Sequence, residues 1–149
     1  MARRHGCAVV VHNRESDEDM QRILRDEGDG LRIVLHAFGG APELAALTDQ
    51  LDVYFGVGGF LTFKNHPLSK HVHALPRETL LLETDAPYLS PHPLRGRRNE
   101  PAHVEIVARR LAALLETSLE EVAALTTRNF ARFIGDTHGD AGSDPPSET

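Results

Sequence analysis

The chain of 149 residues contains no tryptophan, one cysteine and few aromatic residues of any kind. Each shortage excludes something. A lone Cys7 rules out an intramolecular disulfide and a multi-cysteine zinc site, so a reducing, cytoplasmic setting is the expectation. No apolar run approaches the roughly 20 residues that span a bilayer, so no membrane association is expected. The apolar stretch near the start stops at His12, too short for the core of a secretory signal. Positive charge is also lacking: the formal net charge of −6 argues against nucleic-acid binding over the whole surface, although a local basic patch is still allowed. Only Lys64 and Lys70 are lysines among 16 basic residues, so any such patch is built of arginine. What is present, 40% hydrophobic and 26% charged residues, suits a single folded domain with its own core.

Apolar runs and glycines punctuate the chain regularly. Cys7–His12 reads as a β-branched strand of the kind buried in a parallel sheet. Ser16 is placed to cap a helix whose first turn carries Asp17, Glu18 and Asp19 and which ends at Gly28 and Gly30. Arg32–His36 is a second strand, followed by Gly39-Gly40 and a helix from about Pro42 to Gln50. Val53–Val57 is a third, running into Gly58-Gly59. A short helix is predicted around Pro67–Leu75 and a fourth strand over Thr79–Thr84. The segment Asp85–Asn99, with three prolines, is too long for a mere connection. Two helices follow, at about Pro101–Leu115 and Leu119–Ile134. Ser118 and Glu121 form a capping box for the second. Residues 1–135 are thus the folded unit, and 136–149 read as a disordered acidic tail. Strand–helix alternation with apolar strands specifies a parallel α/β sheet. A complete eight-stranded barrel needs roughly 200 residues or more, so four strands amount to a small open sheet or part of a barrel.

Polar residues collect where the strands stop. His12 closes the first strand, His36 the second, and Asp85 follows the fourth. The carboxyl edge of a parallel sheet is where α/β folds place their sites. Neutral imidazoles with a carboxylate suit a first-row divalent ion. Taken singly, each has a plainer explanation, a hydrogen-bonded rim histidine or a turn aspartate. Three strand ends sharing the pattern give the metal reading its weight.

The run Glu83-Thr84-Asp85-Ala86-Pro87-Tyr88-Leu89, followed by Arg95-Gly96-Arg97-Arg98-Asn99-Glu100-Pro101, resembles the TatD family of metal-dependent hydrolases. Leu35-His36-Ala37-Phe38-Gly39-Gly40 and Val9-Val10-Val11-His12-Asn13-Arg14 resemble that family's segments in the same order. Glu120-Glu121-Val122, Thr126 and Asn129 match its last helix. The resemblance implies a partial TIM-type (β/α)8 barrel, the C-terminal half with about four parallel strands and two C-terminal helices. It implies divalent metal ions, two in a complete site and of zinc, manganese or magnesium type, and hydrolysis of phosphodiesters, often DNA. It places His12, His36 and Asp85 as metal ligands, with Asp85 also the proton acceptor for the attacking water. Glu83 shares the strand face of Asp85 and is expected to hydrogen-bond a ligand rather than bind the ion itself.

The departures are as informative. The family's His-x-His pair on its first strand and the bridging glutamate on its fourth have no counterpart here. His71-Val72-His73 spells the missing pair, but in a helical stretch residues two apart point about 200° from each other, so both are expected at the surface. Arg95, Arg97 and Arg98 form the one basic cluster. They are placed either to meet substrate phosphate or to lie solvated in the loop. Tyr88 is placed either to stack on a base or to pack on the barrel rim. Three readings follow: a metal-dependent phosphodiesterase acting on DNA, of which this is the C-terminal half; a half-barrel subunit that needs a separate N-terminal half or associates with itself; and a non-catalytic fragment keeping only the fold's surface.

Overall fold

The computed structural model describes residues 1–135, and the predicted tail at 136–149 lies outside the described residues. A short helix α1 (Ala2–His5) closes on Gly6 in the left-handed conformation and leads into strand β1 (Val9–His12). Helix α2 (Asp17–Glu27), strand β2 (Arg32–His36), helix α3 (Pro42–Ala45) and strand β3 (Asp52–Val57) follow. Helix α4 (Pro67–His71), strand β4 (Leu80–Leu82), and helices α5 (Val104–Leu114) and α6 (Leu119–Ile134) complete the unit.

The four strands form one parallel sheet in the order β1-β2-β3-β4. A doubly wound sheet reverses its strand order part way, whereas consecutive order without reversal is that of a (β/α) barrel. Period-two alternation gives the sheet two faces. One carries Ile33, Leu35, Val53, Phe55, Val57 and Leu80, which pack with Leu44, Leu68, Leu111 and Val122 of the helical layer in the main core. The other carries Val34, Tyr54 and Leu81, covered by Phe133 from the end of α6. Val10, in register with Val34, is 66% exposed on the uncovered part of this second face.

Several predicted elements are shorter in the structure, for local reasons. The strand predicted from Cys7 begins at Val9, because the Cys7 N–H is taken by the Ala2 carbonyl in the α1 cap. The one predicted over Thr79–Thr84 pairs regularly only over Leu80–Leu82; Thr79 ends a 3-10 turn, yet the Glu83 N–H still donates to the Val57 carbonyl at 3.1 Å. The helices predicted after Pro42 and Pro67 tighten into 3-10 turns at Ala46–Asp49 and Val72–Ala74. His71 and His73 are exposed there, on either side of buried Val72. Ser16 stands at the N-cap of α2 without capping it: its hydroxyl donates to the Asn13 side-chain oxygen at 2.6 Å. Ser118 and Glu121 do form the capping box of α6. Among the described residues no helix is long and apolar enough to cross a membrane.

Candidate active site

Parallel pairing sets His12 directly beside His36 at the carboxyl edge, with ring centroids 5.8 Å apart. Glu83 arrives from one residue beyond β4 and crosses in front of β3 to reach β2. Its carboxylate lies 3.0 Å from His36 Nδ1 and accepts the Ala37 N–H at 2.8 Å. That crossing demands a glycine. A Cβ on Gly56 would overlap the Glu83 carboxylate, so the residue between the two strands can carry no side chain. The second ring nitrogen of His36, Nε2, stands 3.2 Å from Asp85 Oδ1. The imidazole is therefore held on one side and presented to Asp85 on the other.

Asp85 itself sits at φ 54°, a left-handed conformation that aspartate tolerates and most residues avoid. The turn bearing it is clasped by Asn99, which is 2% exposed. The Asn99 side-chain amide donates to the Thr84 carbonyl at 2.5 Å and to the Tyr88 carbonyl at 2.7 Å. The Asn99 backbone N–H donates to the Pro87 carbonyl at 3.0 Å, and the Tyr88 N–H closes the turn onto the Asp85 carbonyl at 2.8 Å. The long loop is thus a folded frame for one carboxylate.

Two ligands of one ion, each about 2.0–2.1 Å from it at a tetrahedral angle, stand about 3.3 Å apart. The His36–Asp85 separation suits such a pair as well as it suits a hydrogen bond. Imidazole and carboxylate donors also suit a first-row divalent ion in kind. Among the described residues, however, no three such side chains are grouped closely enough to enclose an ion. The donor set therefore fits one side of a metal site rather than a closed cage.

Beside these groups opens a groove of about 660 Å³, lined by His12, Asn13, Arg14, Ala37, Phe60, Asp85, Tyr88 and Leu89. Arg95, Arg97 and Arg98 are not in this lining. All three are exposed, and the Arg95 guanidinium rests 3.9 Å from the centre of the Phe63 ring. Sequence reasoning picked the visible arginine cluster and passed over Arg14, two residues beyond His12. The available signal was adjacency to a strand-end histidine.

The family described as TatD related DNase matches residues 1–135. An uncharacterized metal-dependent hydrolase, YabD of Bacillus subtilis (strain 168), is 40% identical over 136 residues, 90% of this chain and 53% of that protein. An uncharacterized metal-dependent hydrolase named TatD, of Mycobacterium tuberculosis (strain ATCC 25618 / H37Rv), is 38% identical over 91% of this chain and 52% of its own length. The crystal structure of YJJV, a TatD homolog from Escherichia coli K12, superposes with a TM-score of 0.81 at 29% identity, covering 90% of this chain and 52% of that one. The chain spans about half the length of the relatives it matches, and its sheet is a partial TIM-type barrel. On the match over residues 1–135, the chain belongs to the TatD-related family of metal-dependent hydrolases.

Proposed function

We propose that these residues serve metal-dependent hydrolysis of phosphodiester bonds, with DNA as the substrate. The observation that carries this reading is His36, fixed by Glu83 through one ring nitrogen and turned toward Asp85 by the other at a sheet's carboxyl edge. His36 and Asp85, with His12 on the neighbouring strand, would supply one side of the site for a divalent ion of zinc, manganese or magnesium type. Such an ion supplies an acidified water and positive charge facing the phosphate. Asp85 accepts the proton of the attacking water. Glu83 keeps His36 in the tautomer that leaves Nε2 free as a donor of electrons, the usual task of a carboxylate behind a ligand. The three loop arginines are kept as candidates for more distant backbone phosphates.

A second reading rests on a separate observation. Among the described residues, β1 and β4 each have one unpaired edge, and the face carrying Val10 is open. A half-barrel subunit completed by an N-terminal half would cover both and add donors from its own strands.

The test is calorimetric titration of the purified chain with zinc and manganese, paired with a DNA hydrolysis assay. The chain alone should bind metal weakly and cut little or no DNA, and His36→Ala should abolish the binding. A segment supplying the other half-barrel should raise affinity and hydrolysis together. Equal binding by wild type and His36→Ala would overturn the assignment.

A further inference from the structure

The groove beside Asp85 is lined by both a cation and aromatic rings. The cation is Arg14, with an 81% exposed side chain and only a loose 3.9 Å approach to Glu15. The rings belong to two residues. Tyr88 is 71% exposed, although its backbone is fixed at both ends, its N–H on Asp85 and its carbonyl on Asn99. Phe60 is partly buried against the core and packed among aromatic rings. His66 stacks on it at 4.6 Å with the rings 6° from parallel, and Phe63 meets it edge-on at 5.6 Å.

A large ring left in water on a rigid backbone contributes nothing to the core, and here it stands three residues from the carboxylate of the site. A sugar and a phosphate alone would engage Arg14 and leave the aromatic rings wet. A nucleobase offers the flat π surface that covers them. The groove volume also falls in the range of roughly 300–1,000 Å³ usual for small-ligand sites.

We infer that this groove is a nucleobase-stacking subsite, in which Tyr88 and Phe60 take the base and Arg14 clamps the adjoining phosphate. The inference rests on the phosphodiester reading above and extends it to what flanks the scissile bond. Asp85 and His12 line the same groove, so a nucleotide seated in it places its phosphodiester beside them.

The experiment measures binding without chemistry. A short thymidine oligomer and an abasic sugar-phosphate oligomer of equal length are titrated against the chain in the absence of divalent ions. Calorimetry and tyrosine fluorescence report binding. Tyr54 and Tyr88 are the only tyrosines, and Tyr54 is buried against Phe133, so a change in emission reports Tyr88. The thymidine oligomer should bind about tenfold more tightly than the abasic one, within the roughly five- to hundredfold worth of one base–aromatic stack, and should quench the emission. Tyr88→Leu should remove that preference and Tyr88→Phe should keep it. Arg14→Gln should weaken both oligomers and reduce the slope of log affinity against log salt by about 0.7. Equal affinity for the two oligomers, or a preference that survives Tyr88→Leu, would overturn the subsite while leaving the phosphodiester reading standing. Failure of both oligomers to bind would overturn the two together.

Discussion

His66 shows how one side chain can make a wall of the groove depend on pH. Burial holds its pKa below the ordinary value, because the charged ring would lose water it cannot replace. Its Nδ1 accepts the Leu68 N–H at 3.3 Å, which only the neutral ring can do. The folded protein therefore resists protonation while the unfolded chain accepts it near about pH 6.5. The unfolded state binds more protons in that window, so stability is fully present above about pH 6.5 and falls as pH drops through the folded pKa. His66→Phe keeps the stack on Phe60 and removes the titration. Denaturant unfolding at pH 7.5 and 5.5 should show a larger loss for wild type than for the variant. Equal losses would mean that the ring titrates alike folded and unfolded.

At the level of elements, the Asp85–Asn99 segment behaves as a frame, and its keystone is an amide. Asn99→Ala would leave the Thr84 and Tyr88 carbonyls without their side-chain donor, at a cost of about 2–4 kcal/mol. Exchange of the Tyr88 amide should quicken with it, because that N–H closes the turn Asn99 braces. An unchanged unfolding midpoint and exchange rate would show that the prolines hold the loop unaided. Nothing local in the sequence announces this clasp, since its partners lie 15 and 11 residues away. By contrast the strand cores, the capping box at Ser118 and the strand-end position of His12 and His36 were all legible, because each follows from neighbours in the chain. Ser16 did not cap its helix, and its hydroxyl donates to Asn13. Gly56 became meaningful only when β2, β3 and β4 were laid side by side.

At the scale of the whole described chain, the decisive fact is a sheet with two free edges among the described residues. Neither β1 nor β4 carries a proline, bulge or central charge that would discourage pairing with another strand. Together with exposed Val10 this makes an association surface. The purified chain should self-associate with rising concentration, as read by light scattering over a dilution series. Val10→Lys should shift that equilibrium toward monomer. A monodisperse monomer at every concentration, unfolding cooperatively, would show that four strands and Phe133 suffice. In the sequence this openness was legible only through the resemblance to half of a barrel, because apolar residues on a bare face and in a core are spelled alike.

Arg32 ties the two extremities of the described chain together at the base of the sheet. Its Nη2 donates to the Gly6 carbonyl at 2.7 Å and its Nε to the Phe133 carbonyl at 2.8 Å. A single guanidinium spans both, so the first turn and the last are neighbours in space. The order in which the four strand–helix units are strung is then a matter of wiring rather than of packing. A short linker from Gly135 back to Ala2, with new ends opened in an exposed connection such as Asp29-Gly30, would give a circular permutant with the same sheet and the same carboxyl edge.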